Sequence, residues 1–177
     1  CSGKGSEMNI LMMTNAYKPY TGGVERSVST FSDRLRAMDN RVVVVAPDAD
    51  DTTFADQEER DIIRVPSIKN FNQSNLPVLL PIPGILNSHL ETFHPDIVHS
   101  HFPFLVGSTA VRVAAKFSVP LVFTYHTMYE KYTHYVSMEG KSVRRFVIEM
   151  TRGYANLCDL VIAPSQSIKT VLEARDV

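Results

Sequence analysis

The stretch Asn9-Ile10-Leu11-Met12-Met13-Thr14, followed by the polar run 15–20 and then Thr21-Gly22-Gly23-Val24-Glu25, decides how this chain folds. Residues 9–14 are apolar almost without alternation, which marks a strand covered on both faces rather than one with a wet side. Downstream, Val24, Val28, Phe31, Leu35 and Met38 recur at steps of four and three, so they share one face of a helix. Val42-Val43-Val44-Val45-Ala46 is a second buried strand. A strand, a helix and a strand in succession predict a right-handed crossover between parallel neighbours.

The same alternation continues along the chain. Residues 62–65, 97–99, 121–125 and 160–163 read as further strands, and helical stripes appear at Val106, Ala110, Val113, Ala114 and Phe117, and again at Ile168, Val171 and Leu172. The expected fold is α/β, a Rossmann-like, doubly wound parallel sheet spanning residues 8–177 as one domain. Residues 1–7 lack the apolar core of a signal peptide and read as a leader or an expression remnant ahead of Met8. Residues 67–90 are the least regular part, because Pro77, Pro81 and Pro83 break an apolar run that otherwise suits a strand or a long helix. A loop leading into a short helix is expected there, with a surface-seeking apolar loop as the alternative.

Composition excludes several function classes. With 18 basic and 19 acidic residues the net charge is -1, which argues against a nucleic-acid binder. The 44% hydrophobic and 21% charged content is that of a globular domain, and no apolar run approaches the ~20 residues that cross a bilayer. Cys1 and Cys158 lie too far apart for a C-x-x-C pair and imply a reducing, cytoplasmic setting.

Ligands of open α/β sheets bind beyond the carboxyl ends of the strands, so the residues that follow each strand carry the candidate chemistry. Gly22 and Gly23 open a helix, where a turn without side chains lets an anion approach free N–H groups and the positive end of the helix dipole. An equally open reading makes Gly22 a plain N-cap with Glu25 in the capping-box position. The dinucleotide fingerprint fails, because Val24 and Ser27 stand where its second and third glycines belong. His99 and His101 are two apart at a strand end and so point to one side, with His126 after the next strand. Asp96 and Glu130 have no metal-ligand spacing, so polar histidines that orient a loop or bind a sugar hydroxyl are preferred to a metal site, and no metal or cofactor is expected. Tyr125, Tyr129, Tyr132 and Tyr135 crowd the segment after the fifth strand, able to stack on a sugar, to sit at a lipid boundary or simply to pack. Lys141, Arg144, Arg145 and Arg152 flank Val143, Phe146, Val147 and Met150 on an amphipathic helix, a solvated face or an attraction for an anionic membrane.

Taken together, the run 9–14 with Thr21-Gly22-Gly23-Val24-Glu25, then Pro95-Asp96-Ile97-Val98-His99-Ser100-His101, Val122-Phe123-Thr124-Tyr125-His126-Thr127 and Asp159-Leu160-Val161-Ile162-Ala163-Pro164-Ser165 resembles the N-terminal half of a retaining glycosyltransferase of family 4, with the GT-B fold. The run Tyr125-His126-Thr127-Met128-Tyr129 is similar to diacylglycerol glucosyltransferases within it. The resemblance implies a two-domain enzyme whose N-terminal half, here residues 8–177, binds the acceptor. Its C-terminal half, outside this chain, would bind a nucleotide sugar such as UDP-glucose without a metal.

It further implies that Gly22 and Gly23 approach the donor diphosphate, that His126 is the catalytic residue beside the transferred sugar, and that Glu25, His101 and Tyr129 lie on the acceptor side. The implied acceptor is a diacylglycerol, another lipid or a small molecule. The implied location is cytoplasmic, peripheral at the inner face of an anionic membrane. No pair of glutamates separated by seven residues occurs in the chain, so it is expected to be a fragment that is inactive alone. The alternative is a non-catalytic Rossmann-like module that binds an anionic ligand or a partner protein.

Overall fold

The computed structural model describes residues 7–19, 21–48, 61–68, 78–79, 83–131 and 141–177. In chain order the elements are β1 (Asn9–Met13), α1 (Gly23–Arg36), β2 (Arg41–Pro47), β3 (Ile62–Val65), β4 (Ser67–Ile68), β5 (Val78–Leu79), α2 (Pro83–Phe93), β6 (Ile97–Ser100), α3 (Val106–Phe117), β7 (Leu121–Thr124), a 3-10 turn (Tyr129–Lys131), α4 (Lys141–Ala155), β8 (Leu160–Ile162) and α5 (Gln166–Glu173). Six strands form one parallel sheet in the order β3-β2-β1-β6-β7-β8. All six strands read from apolar continuity are in it.

The period of two along each strand explains why both faces had to be apolar. Leu11, Met13, Val43, Val45 and Val98 point to the side covered by Leu86, Leu90 and Phe93 of α2 and by Ala110 and Val113 of α3. Ile10, Met12, Val42, Val44 and Ala46 point to the opposite side and meet Val24, Val28, Phe31 and Leu35 of α1. At the far end Phe123 and Tyr125 pack with Tyr154 and Ala155 of α4 and Leu172 of α5.

Two expectations need correction. Met38 does not belong to the buried stripe of α1: the helix ends at Arg36, the chain turns through Asp39 at φ 60, and Met38 is 70% exposed. Within the proline-broken region, β4 and β5 form a two-residue antiparallel pair that alternation could not reveal, since pairs this short carry no pattern. The short helix expected there is α2, which begins at Pro83 and continues to Phe93. Proline suits that place because a first-turn residue needs no N–H acceptor inside the helix. The rest of the apolar run, residues 76–77 and 80–82, lies outside the described residues.

Candidate active site

The strand order reverses between β1 and β6, so the topological switch point opens where β1 and β6 end side by side. Ladder bonds persist one residue past the strand ends and fix what lines it. Thr14 N–H donates to Val45 C=O at 3.0 Å, His101 N–H to Met13 C=O at 2.9 Å, and Tyr125 N–H to Ile162 C=O at 3.0 Å. His101 and His126 are therefore held at the same carboxyl edge by neighbouring strands.

His99 and His101 do point to one side, with ring centroids 4.1 Å apart. That side is the α1 face, where Phe31 meets His99 edge-on at 5.6 Å and tilts against His101 at 6.3 Å. His99 Nε2 is 2.7 Å from Thr124 Oγ1, and His101 Nδ1 is 2.9 Å from His126 Nε2, with the last two rings stacked at 5.2 Å. Burial lowers the pKa of His99 to about 4, helped by the nearby His126, and burial lowers His126 to about 4 as well. His101 is pushed well below its ordinary value by burial and then by His99 and His126. All three imidazoles are neutral near pH 7, suited to hydrogen bonding rather than to holding an anion by charge. Among the described residues no group of three metal-ligating side chains is arranged to hold an ion, since these nitrogens face one another and Thr124.

The glycine turn sits at the same edge. Gly22 caps α1 in an extended conformation, and among the described residues no side chain caps the first-turn N–H groups. A Cβ on Gly22 would collide with the carboxylate of Glu25, which lies folded back against it, whereas a Cβ on Gly23 would meet nothing within 4 Å. Neither glycine adopts a left-handed backbone, so what their side-chain-free positions preserve is space. From Gly23 an open groove of about 490 Å³ runs along α1 past Arg26, Ser27, Thr30 and Arg34 to Phe31, whose ring touches the histidines.

Of the residues assigned to the acceptor side, Glu25 is half-buried at the mouth and His101 is fully buried, so His101 reaches this edge only through His126. The half-buried Tyr129 ring packs edge-on against Phe102, Phe104 and Tyr125, and burial raises its phenol pKa. Tyr132 and Tyr135 lie outside the described residues. Sequence reading missed Thr124 and Phe31 as neighbours of the histidines. It also missed the bond from Arg175 Nη2 to the buried Glu130 at 2.6 Å. The period of two placed Phe31 and the histidines on unrelated elements, and only the crossover of α1 over the sheet joins them.

A second hollow, about 680 Å³, lies against β8 and α5 and is lined by Leu160, Val161, Ser165, Lys169 and Leu172 among others; none of the candidate residues borders it. No helix among the described residues is long and apolar enough to cross a membrane.

Comparison with known proteins adds an independent line. The model of Glycosyltransferase Family 4 matches residues 21–177. An alpha-monoglucosyldiacylglycerol synthase of Streptococcus pneumoniae is 28% identical over 93% of this chain and 37% of its own length. One of Acholeplasma laidlawii is 27% identical over 91% of the chain and 42% of its own length. A GDP-mannose-dependent alpha-mannosyltransferase of Mycolicibacterium smegmatis is 30% identical over 94% of the chain and 44% of its own length. The chain thus spans less than half the length of these relatives.

Proposed function

Because this chain belongs to glycosyltransferase family 4, we propose that residues 8–177 are the acceptor-binding half of a retaining glycosyltransferase whose donor-binding half faces the switch-point edge. The observation that carries this reading is the shared edge: His126, the uncapped start of α1 and the open space above Gly23 all lie at the carboxyl ends of the strands. In the proposed reaction a nucleotide sugar's anomeric C–O bond to the diphosphate breaks. A bond from the acceptor oxygen forms on the same face, and the acceptor's proton passes to the departing diphosphate. The free N–H groups of α1 and its dipole stabilise the charge that grows on the diphosphate, the place where fixed donors gain most. Neutral His126 holds a hydroxyl of the transferred sugar.

The donor is a nucleoside-diphosphate sugar, with UDP-glucose and GDP-mannose as the two chemistries that the relatives' names suggest. The acceptor is a lipid hydroxyl at an anionic membrane surface. Supporting the lipid reading, α4 presents Phe146 at 63% and Met150 at 49% exposure beside the exposed Lys141, Arg144 and Arg145. Each basic residue near an anionic surface gains about 1 kcal/mol.

The test is transfer by the full-length parent protein from either donor to diacylglycerol-containing vesicles, with product stereochemistry read by NMR. An α-linked glycolipid whose formation is lost in His126→Ala supports the proposal. A parent that transfers no sugar from any nucleotide donor overturns it in favour of a binding module. Co-sedimentation with anionic vesicles at low salt checks the membrane, and absence of binding returns the acceptor to a soluble molecule.

A further inference from the structure

His101 is fully buried and makes one side-chain hydrogen bond among the described residues, from Nδ1 to His126 Nε2. Its own Nε2 is enclosed and has no partner among them. Such burial of a polar ring is costly, and a hydrocarbon of similar size would avoid the cost. The ring is nevertheless held rigidly. His99, itself fixed by its 2.7 Å contact with Thr124 Oγ1, lies tilted against it with ring centroids 4.1 Å apart, and Phe31 closes it from α1.

Two neutral imidazoles joined nitrogen to nitrogen share one proton, one ring donating and the other accepting. Nε2 of His126 is committed to that bond. Its Nδ1, unbonded among the described residues and not enclosed, must then be in the complementary state. We propose that His101 is the positioning residue of His126: it holds the ring in one orientation and one neutral tautomer, so that Nδ1 faces the substrate with a single defined hydrogen-bonding character. A histidine free to switch would present a donor at one moment and an acceptor at the next. The pairing removes that choice. Both directions satisfy the bond, but only the one in which His101 Nδ1–H donates leaves the enclosed His101 Nε2 bare instead of burying an orphaned N–H, so His126 Nε2 accepts, its Nδ1 carries the proton, and the substrate hydroxyl must turn to accept from it. This rests on the assignment of His126 to the transferred sugar, but the tautomer lock itself is measurable without any substrate.

The experiment is long-range 1H–15N NMR on the ¹⁵N-labelled chain near neutral pH. The expected result is a pair of well-separated His126 nitrogen resonances, one protonated and one bare, with a scalar coupling across the hydrogen bond to His101 Nδ1. In His101→Leu the two resonances should converge toward a common averaged position. In His101→Asn, whose amide nitrogen replaces Nδ1, they should stay apart. Averaged His126 resonances in the unsubstituted chain overturn the proposal without recourse to a variant, as does a separated pair that survives His101→Leu.

In the full-length parent, His101→Leu should lower kcat about tenfold to a hundredfold with partial rescue in His101→Asn, a magnitude typical of small misplacement at a reacting centre. If the lock is present but His126→Ala leaves transfer intact, the assignment of His126 fails while the lock stands.

Discussion

Arg175, two residues beyond the end of α5, donates from Nη2 to Glu130 Oε1 at 2.6 Å, joining the segment after α5 to the 3-10 turn that follows β7. The Glu130 side chain is 0% exposed and that of Arg175 20%. Burial by itself would lower the Arg175 pKa, yet the bond and charge of Glu130 leave it raised, so the guanidinium stays charged. The turn closes the loop that carries His126, and a side chain 45 residues away sets its place.

Arg175→Ala should therefore destabilise the domain by about 1–3 kcal/mol, because a buried carboxylate loses a short charge-assisted hydrogen bond. Replacing both partners, Glu130→Gln with Arg175→Met, should recover more than half of that loss, since no buried charge remains. Denaturant midpoints of the unsubstituted chain and these two variants check this. Equal losses in the single and double variants would show that shape rather than charge holds the turn.

Gly107 and Gly23 should respond to substitution in opposite ways. A Cβ on Gly107 would press 2.7 Å from Phe102 O and 2.8 Å from the Tyr154 ring, so Gly107→Ala forces α3 away from α4 at about 1–3 kcal/mol. A Cβ at Gly23 meets nothing within 4 Å, so Gly23→Val should change stability by less than about 1 kcal/mol. In the full-length parent, however, Gly23→Val should cut sugar transfer sharply by filling the space assigned to the diphosphate. Activity per folded molecule, measured beside thermal midpoints, separates the two effects.

Stability should fall with pH below the ordinary histidine range. The folded pKa of His99 and His126 is about 4 against an ordinary 6.5, and that of His101 is also lowered. The unfolded chain thus binds protons that the folded one refuses. The contribution of these groups is complete above about pH 6.5 and is lost as pH falls toward about 4. Unfolding midpoints across that window, with proton uptake measured alongside, provide the check. Replacing all three histidines with neutral polar side chains should flatten the slope; an unchanged slope would assign the acid sensitivity to the carboxylates.

Ser118 ends α3 in the left-handed region at φ 55 and ψ 45, exposed, with no side-chain bond among the described residues that requires serine. Ser118→Gly should stabilise the domain by about 0.5–1 kcal/mol by removing the Cβ clash of that conformation. A higher denaturation midpoint at unchanged slope is the expected reading, and a lower one would mean that the flexibility gained by the unfolded chain outweighs the relief.

The sequence by itself determined the sheet and most of its cover. Continuous apolar runs at residues 9–14, 42–46 and 121–125 can be buried only if both faces are covered, and the helical stripe from Val24 to Leu35 fits only one of those faces. It also determined that His99 and His101 share a side, because a strand's period of two is local geometry. What the sequence could not determine is where long-range partners meet. The His101–His126 bond, the Thr124 clasp on His99 and the Glu130–Arg175 pair each join residues 25 to 45 positions apart, and no spacing rule connects them. They exist because β6 and β7 are neighbours in register and α5 packs back beside β7. The end of α1 at Arg36 was likewise undetermined, since Met38 fits the stripe but has no neighbour left to pack against. Periodicity assigns faces; only the packed chain decides which faces touch, because contact energy depends on the three-dimensional neighbours that each face acquires.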